Sequence, residues 1–247
     1  MSRRFFVEKF GAGSAEVRGE TAEHLGRVLR AEPGQLYELS DGNSVWLGRI
    51  ERVTRRAVTF SLVEQIPARL PSLHITLLLS IVKFDRFEWC LEKATELGVS
   101  EVVPLAAARS EKRLVEAAKA RSKRWEKILV ESAQQSRRLR PPQLRAVASP
   151  ASGFGVVGAQ HAASDNAAVR LLLSESPDAQ SMRETIRKAG NVRNAVIAIG
   201  PEGGWTDDEF AAARGAGFIE ASLGAHILRT ETAVIAALAN LNFALGE

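Results

Sequence analysis

The chain has 247 residues, 45% hydrophobic and 25% charged, which is enough to bury the core of one or two domains. Its net charge of +4 is not extreme, and no run approaches the ~18 consecutive apolar residues of a membrane-spanning helix. The single cysteine, Cys90, excludes an internal disulfide framework and, together with an N-terminus that has no apolar signal segment, predicts a cytoplasmic protein.

Residues 1–68 are predicted to form a small, mostly antiparallel β-barrel domain. Its segments are β-branched or alternating and are separated by turn residues, which indicates short strands. Ser40-Asp41-Gly42-Asn43 is a hairpin turn signal between two of them. The predicted strands cover residues 4–8, 15–18, 35–39, 45–50 and 57–63.

One helix and a linker complete this first part of the chain. Thr21 is the predicted N-cap of a short helix that carries Leu25, Val28 and Leu29 on one face. Residues 66–72 contain two prolines, which resist both a helix and a central strand, so we place the domain boundary there.

Residues 72–247 are predicted to form an α/β domain, because strands and helices alternate after the linker. This order is typical of a parallel sheet that is covered by helices on both faces. Gly98 is a predicted helix stop, and Pro141-Pro142 is expected to end a long basic helix. The predicted strands cover residues 73–82, 99–105, 167–173, 194–200 and 218–223, and the predicted helices cover residues 85–97, 113–138, 182–189, 207–214 and 231–245.

The positive charge is concentrated in one segment, which we call the basic stripe (residues 109–145). It contains 12 Lys or Arg and 4 Asp or Glu residues, a net charge of +8 within a chain of +4. A local excess of this kind is typical of a surface that binds phosphate groups. A solvated helix rich in Lys and Arg is the alternative interpretation.

Three predicted strand ends carry unusual sequences, and ligands of parallel sheets bind beyond the carboxyl ends of the strands. The first is Ile199-Gly200-Pro201-Glu202-Gly203-Gly204-Trp205, where three glycines allow the backbone to approach a ligand closely. Thr206 and Glu209 then form a predicted capping box for the next helix. A tight strand-to-helix turn without a ligand is the alternative.

The other two strand ends are Leu171 to Pro177, a polar exit, and the segment that follows Leu223-Gly224. The second contains the apolar pair Ile227-Leu228, which suits the walls of an adenine pocket or else points into the core. Thr230 is the predicted N-cap of the C-terminal helix. If the three exits follow adjacent strands, they form one pocket.

The common nucleotide and metal motifs are missing from this sequence. No Walker lysine follows the glycine loop, and no G-x-G-x-x-G follows a predicted strand. The four histidines and one cysteine have no zinc-type spacing, so no metal site is predicted.

Two long motifs at a suitable separation make the sequence similar to a known family. Residues 199–204 together with 223–233 resemble the signature of the RsmE family, the 16S rRNA uracil-N3 methyltransferases of the SPOUT class, which use S-adenosylmethionine. Further matches extend the resemblance over nearly the whole chain, at residues 83–89, 92–99, 110–113, 124–125, 135–136 and 138.

The resemblance implies a SPOUT-type parallel sheet with a C-terminal trefoil knot, preceded by a small PUA-like β-barrel. It also implies a homodimer that acts on 16S rRNA or on the small ribosomal subunit. By motif match, eleven residues are expected to contact S-adenosylmethionine: Leu173, Glu175, Gly200, Glu202, Gly203, Gly204, Leu223, Gly224, Ile227, Leu228 and Thr232.

The implied reaction is the transfer of a methyl group to the N3 nitrogen of a uridine. That imide nitrogen is mostly protonated near neutral pH, so a proton acceptor or a group that stabilises the developing anion is needed. Our candidates are Arg229, to stabilise negative charge on a uracil carbonyl oxygen, and Glu231, to accept or relay the proton. The alternatives are an anion clamp for Arg229 and a helix N-terminal charge for Glu231.

RNA is expected to be bound through phosphate contacts from basic residues in both parts of the chain. The candidates are Arg3, Arg4, Arg27 and Arg30 in the first domain and Lys112, Arg113, Arg124 and Arg138 in the basic stripe.

Four positions depart from the family pattern. His226 stands where the family usually has arginine, and Ala225 where proline is common, while Phe84 and Gln134 replace the usual glycine and glutamate. Because arginine is always charged and histidine is not, His226 predicts weaker or pH-dependent RNA binding if that arginine normally contacts RNA.

Two other functions remain as alternatives. One is a non-catalytic RNA-binding or ribosome-assembly factor with a vestigial pocket, and the intact Gly200, Gly203 and Gly204 weigh against it. The other is a doubly wound enzyme that uses NAD or ATP, and the missing fingerprints weigh against that function.

Overall fold

The computed structural model describes residues 3–68, 70–162, 168–190 and 192–246. The chain divides into two compact units, of which one consists of Met1–Leu70 with Val130–Pro141 and the other of Pro71–Leu129 with Pro142–Glu247. The N-terminal unit thus includes a segment of the basic stripe, which the sequence did not indicate. Among the described residues, every helix is too short or too polar to span a membrane.

The N-terminal unit is a curled, mostly antiparallel half-barrel of five strands in the order β1-β3-β4-β5-β2. Among the described strands of this unit, β1 and β3 pair in parallel and the other neighbours pair antiparallel. Its elements are β1 (Arg4–Phe6), β2 (Ser14–Arg18), α1 (Gly19–Glu23), a π-helical turn (His24–Val28), β3 (Leu36–Ser40), β4 (Val45–Val53) and β5 (Ala57–Ile66).

All five predicted strands of this unit are present, and the hairpin turn between β3 and β4 is confirmed. Oδ1 of Asp41 accepts hydrogen bonds from the backbone N–H groups of Asn43 (2.9 Å) and Ser44 (2.8 Å), which closes the turn. Gly42 has a φ of +85°, a value that side-chain-bearing residues rarely adopt.

The helix prediction for this unit is wrong in two details. Helix α1 begins at Gly19, so Thr21 lies inside it and is not its N-cap. Leu25 is fully buried as predicted, but Val28 is 61% exposed. The reason is the π-helical turn, in which the N–H of Leu29 donates a hydrogen bond to the carbonyl of His24, five residues earlier. Because a π turn has more residues than an α turn, Val28 does not lie on the same face as Leu25.

The C-terminal unit contains a seven-stranded sheet in the order β10-β12-β9-β11-β6-β7-β8, and all of its pairs are parallel. Its strands are β6 (His74–Ser80), β7 (Glu101–Leu105), β8 (Gln143–Leu144), β9 (Ala168–Leu173), β10 (Gln180–Ser181), β11 (Asn194–Ile199) and β12 (Ile219–Ser222). Its helices are α2 (Phe84–Glu96), α3 (Lys112–Ala118), a 3₁₀ turn (Lys119–Arg121), α4 (Ser122–Gln135), α5 (Pro150–Ala162), α6 (Met182–Ala189), α7 (Asp207–Gly215) and α8 (Thr230–Leu245). Helix α4 extends into the segment that belongs to the N-terminal unit.

The central strands are buried on both faces, which explains their continuous apolar sequences. In β6, Leu77 and Leu79 pack with residues of α2 and α8, whereas Leu78 points to the opposite face and packs with Phe154 of α5. The prediction of a parallel sheet with helices on both faces is therefore confirmed. Ala167, the first residue of one predicted strand, lies outside the described residues.

Two helix predictions in this unit differ from the structure. The long basic helix predicted over residues 113–138 is interrupted by the 3₁₀ turn and ends at Gln135, before the prolines, where Arg137 has a φ of +54°. Helix α5 was not predicted, because its glycines and alanines form no periodic apolar face. Gly153 has a packing role there, since a Cβ at this position would lie 2.7 Å from the side chain of Leu105.

The side chain of Glu209 connects two loops near the carboxyl ends of the strands. Its Oε2 accepts hydrogen bonds from the N–H (2.8 Å) and hydroxyl (3.1 Å) of Thr206, so the predicted capping box of α7 is confirmed. Its Oε1 accepts a hydrogen bond from the N–H of Ala108 (2.8 Å), which follows β7. Because Glu209 is only 8% exposed, these bonds are shielded from water.

The replacement Glu209→Ala is expected to lower the free energy of unfolding by about 3 kcal/mol, because it removes a cap and leaves the Ala108 N–H without its acceptor. Asp208→Ala, which removes an exposed carboxylate from the same helical turn, is the control and is expected to cost less than about 1 kcal/mol. Both are measured by urea denaturation. Equal losses in the two variants would contradict the connecting role of Glu209.

Candidate functional site

One cavity of about 700 Å³ lies at the carboxyl ends of β9, β11 and β12. These strands are neighbours in the order β12-β9-β11, so the prediction that their exits form one pocket is confirmed. The volume lies within the ~300–1,000 Å³ range of small-molecule sites. Thr232 is exposed on α8 and does not line the cavity, in contrast to the other ten residues predicted to contact the cofactor. Those ten are Leu173, Glu175, Gly200, Glu202, Gly203, Gly204, Leu223, Gly224, Ile227 and Leu228.

The glycine loop after β11 forms one wall of this cavity with its backbone. Gly204 has a φ of +70°, which strains any residue with a side chain. A Cβ at Gly200 would lie 3.1 Å from the indole ring of Trp205, closer than an ordinary contact. The three glycines therefore present bare backbone to the cavity, and Gly200 has no room for a side chain because the chain turns back tightly onto Trp205.

Trp205 connects the glycine loop to the end of β9. It is 5% exposed, and its Nε1 donates a hydrogen bond to the carbonyl of Leu173 (3.0 Å). Its ring meets that of Phe154 edge to face, with 5.8 Å between centroids. Trp205 belongs to the motif at residues 199–205, but the sequence predicted no role for it, because its hydrogen bond to Leu173 joins residues 32 apart in the chain.

Two arginines that the sequence analysis did not select also line the cavity. Nη1 of Arg109 donates a hydrogen bond to the carbonyl of Gly203 (2.8 Å), and Arg86 forms an ion pair with Glu202. Arg86 lies in α2 and Arg109 follows β7, so elements from other parts of the sheet hold the glycine loop in place. The basic stripe and the 83–89 motif contained these residues, but neither pattern indicated their position.

The second loop, residues 223–233, contributes the opposite part of the lining. Ile227 is 77% exposed, while Leu228 is half-buried and packs against the main core. Both side chains line the cavity, so the apolar pair forms part of its wall. Leu228 also anchors the loop to the core.

Arg229 lines the same cavity with an exposed side chain and occupies the N-cap position of α8. Thr230 had been predicted as this N-cap, and that prediction is wrong. Thr230 is the first residue of the helix, is 5% exposed, and lines the cavity. The helix begins one residue earlier than the pattern indicated because Arg229 already has the extended backbone of a cap, with φ −62° and ψ 152°.

Glu231, the predicted proton acceptor, does not line the cavity. Its Oε2 is buried and has no hydrogen-bond partner among the described residues. Burial, and secondly the negative charge of Glu231, raise the pKa of the Cys90 thiol on α2 to about 12. The carboxylate therefore lies close to α2, on a different side of the helix from the exposed Thr232.

Among the predicted RNA contacts, Arg4 has its donors occupied inside the N-terminal unit. It is 9% exposed, binds Oε2 of Glu38 through Nε (3.1 Å) and Nη2 (2.8 Å), and donates to the carbonyl of Arg137 (2.6 Å). A buried guanidinium with these partners holds the unit together, so we withdraw Arg4 as an RNA contact.

Two of the candidates in the basic stripe are also engaged. Arg124 binds both carboxylate oxygens of Glu88, with two contacts of 2.7 Å. Burial lowers the pKa of Arg138 to about 10, and little of this side chain is available to RNA. The remaining candidates are exposed, and two of them have neighbours: Arg27 pairs with Glu23 at 2.9 Å, and Arg3 contacts His24 at 3.5 Å. The exposed candidates are Arg3, Arg27, Arg30, Lys112 and Arg113.

Comparison with known proteins agrees with this geometry. Residues 68–242 match the family model of an RNA methyltransferase domain. The chain is 33% identical to the ribosomal RNA small subunit methyltransferase E of Synechocystis over 222 residues, which cover 89% of this chain and 69% of that protein.

Two solved structures have the same fold over their whole length. One is the ribosomal RNA small subunit methyltransferase E from Neisseria gonorrhoeae bound to S-adenosyl methionine, with a TM-score of 0.84, 28% identity, and coverage of 100% of this chain and 99% of that one. The other is a putative methyltransferase from Legionella pneumophila in complex with the bound cofactor SAM, with a TM-score of 0.86 and the same identity and coverage. The chain belongs to the family of ribosomal RNA small subunit methyltransferases E.

Proposed function

We propose that this chain transfers a methyl group from S-adenosylmethionine to the N3 nitrogen of a uridine in 16S ribosomal RNA. The observation that carries the proposal is the cavity in which loops 200–204 and 223–233 meet, because these loops contain the family signature. The bound S-adenosylmethionine of the two solved relatives supports the cofactor, and membership of the family supports the reaction.

The residues around the cavity fit S-adenosylmethionine chemically. Leu223, Ile227 and Leu228 would provide apolar walls for the adenine, and the carboxylate of Glu175 would accept hydrogen bonds from hydroxyl groups of the ribose. The backbone of residues 200–204 would bind polar atoms, since three of these five residues are glycines that line the cavity without a side chain.

S-adenosylmethionine supplies a methyl group on a positively charged sulfonium, which is a good leaving group. The protein has to hold the uracil in line with that methyl group and to manage the N3 proton. We propose that Arg229 donates hydrogen bonds to a uracil carbonyl oxygen and stabilises the negative charge that develops there. We propose Glu231 as the group that accepts or relays the proton; because Glu231 does not line the cavity, the proton would reach it through a relay, and its buried Oε2 has no hydrogen-bond partner among the described residues.

We extend the proposal to the finer features of the family. These are a trefoil knot near the C-terminus, a PUA-like fold for residues 1–68, a methyltransferase domain over residues 72–247, a cytoplasmic location with the ribosomes, and a homodimer.

Phe243 on α8 is 92% exposed and Trp89 on the adjacent α2 is 40% exposed, which supports a homodimer because pairing would bury both. Sedimentation equilibrium measures the mass of the assembly in solution and so distinguishes a homodimer from a monomer.

The function is tested by incubating the protein with S-adenosylmethionine and small ribosomal subunits or 16S rRNA that lack the modification. One 3-methyluridine per rRNA molecule is expected, mapped by mass spectrometry of nuclease fragments. If S-adenosylmethionine binds but no methylated uridine forms on either substrate, the chain is an RNA-binding or assembly factor and the proposal fails.

Gly204→Val is expected to weaken the binding of S-adenosylmethionine at least about tenfold, because a β-branched residue at φ +70° distorts the cavity wall. Isothermal titration measures the affinity. Gly215→Val is the control, since a Cβ at Gly215 meets open space and its φ is not positive. If Gly204→Val binds S-adenosylmethionine with wild-type affinity, the glycine loop does not form part of the cofactor site.

Arg229→Ala is expected to lower the single-turnover rate about 100-fold while changing the affinity for S-adenosylmethionine much less, because the lost charge acts on the developing anion. Arg229→Lys keeps the positive charge but loses the planar guanidinium with its paired N–H donors. Its single-turnover rate is expected to lie between those of the wild type and Arg229→Ala. Arg214→Ala, an exposed change at the end of α7, controls for the loss of one charge. Equal losses of rate and affinity would reassign Arg229 to cofactor binding.

Glu231→Gln is expected to lower the methylation rate about 100-fold or more and to change its pH profile, because the amide cannot accept the proton. The rate is measured over a pH series with saturating substrates. A wild-type pH profile would instead assign Glu231 to the packing of α8 on α2.

A further inference from the structure

The basic stripe, residues 109–145, is largely engaged inside the protein. Five of its eight arginines have partners in the chain, and a sixth, Arg138, is mostly buried. The acidic partners, Glu38, Glu88 and Glu101, all lie outside the stripe, so its charge excess in the sequence overstates the charge it offers to RNA. The five engaged arginines are Arg109, Arg121, Arg124, Arg137 and Arg145.

The hairpin of β4 and β5 has the opposite character. Residues 48–62 contain four arginines and one acidic residue, Glu51, and carry a net charge of +3 within a chain of +4. All four arginines are exposed, and none of their guanidinium groups has a hydrogen-bond or ion-pair partner in the part of the chain that the structure describes. The carboxylate of Glu51 accepts a hydrogen bond from the hydroxyl of Ser61 (2.6 Å). We call these four the hairpin arginines: Arg49, Arg52, Arg55 and Arg56.

A β-bulge places two of the hairpin arginines on the same face. Arg49 pairs with Ser61 and Arg52 with Thr59, and these partners are two residues apart on β5 and therefore face the same side. In a regular strand, Arg49 and Arg52 would face opposite sides, but the extra residue between Ile50 and Arg52 restores the alignment. The other side is the core of the unit, where Ile50 is buried.

The turn of the hairpin holds the other two arginines. The hydroxyl of Thr54 donates to the carbonyl of Ala57 (2.8 Å) and accepts from the N–H groups of Arg56 (3.3 Å) and Ala57 (3.0 Å). Arg55 and Arg56 therefore project from an ordered turn next to the outer face. The hairpin arginines therefore lie exposed on the outer face and at the turn of one hairpin, and the hydrogen bonds of the turn lower the entropic cost of ordering them on binding.

We infer that the hairpin arginines bind phosphate groups of the ribosomal RNA, which deepens the proposed function and rests on it. Guanidinium groups match phosphate oxygens with two parallel hydrogen bonds, and the four positions contain arginine without a single lysine. The neighbouring hydroxyl of Thr59, opposite Arg52, can donate a further hydrogen bond to a phosphate. Residues 48–62 expose no large hydrophobic side chain, which does not favour a membrane.

The inference is tested with the full-length variant R49Q/R52Q/R55Q/R56Q and a transcript of 16S rRNA. Binding is measured by fluorescence anisotropy over a series of KCl concentrations. The slope of log Kd against log salt is expected to decrease by about 3, and the affinity at low salt to fall at least about tenfold, because each phosphate contact contributes about 0.7–0.9 to the slope. The affinity for S-adenosylmethionine is expected to stay at the wild-type value.

The matched control is R183Q/R187Q/K188Q/R193Q, which removes the same charge from exposed positions on and after α6. Wild-type RNA binding in this control supports a local contact at the hairpin. An equal loss in both variants would mean that overall charge determines binding and would overturn the inference. A hairpin variant that binds the transcript normally but loses affinity for assembled small subunits would assign the surface to a ribosomal protein and would also overturn it.

Failure of the proposed function is separate from these outcomes. If the wild-type protein methylates no uridine, the function fails, yet the binding comparison still decides the role of the hairpin arginines. If the wild-type protein methylates and the hairpin variant binds RNA with the wild-type salt slope, the function stands and the inference falls.

Discussion

The cavity depends on the parallel adjacency of β12, β9 and β11, which makes three loops leave the sheet at the same edge. The glycine loop is then fixed to elements outside its own strand. Trp205 holds the end of β9, Arg109 holds the glycine loop, and Glu209 connects α7 to the chain after β7. Because these contacts are made within the protein, the glycine-loop wall of the cavity is set before any ligand binds, which lowers the cost of binding.

Charge is used in two different ways in this molecule. Four arginines of the basic stripe form contacts with carboxylates that are distant in the sequence, and the bidentate pair of Arg124 with Glu88 is one example. A guanidinium that already has a carboxylate partner gains little from a phosphate, because the exchange replaces one charge-assisted bond with another. Among the residues that the structure describes, the guanidinium groups of the hairpin arginines have no carboxylate partner, so a phosphate that binds them displaces water and not a carboxylate.

Local patterns predicted much of the fold. The strands of the sheet, the turn at Asp41 and the capping box at Thr206 depend on neighbouring residues, and all are present. The predictions failed where packing overrides a local pattern. Helix α5 needs the close approach at Gly153, the first helix changes to a π turn that exposes Val28, and α8 begins at Thr230, one residue before the predicted start.

The sequence by itself determined the fold class of the larger domain, the two loops of the cavity and the resemblance to the family. Each of these depends on patterns of residues that are neighbours in the sequence. The tertiary structure alone decided which charges are available and which side chains reach the cavity. The partners of Arg4 and Arg109 lie 133 and 94 residues away in the chain, and no local pattern records such a pairing. Contacts between distant residues are set by how the elements pack, and packing is what a one-dimensional pattern lacks.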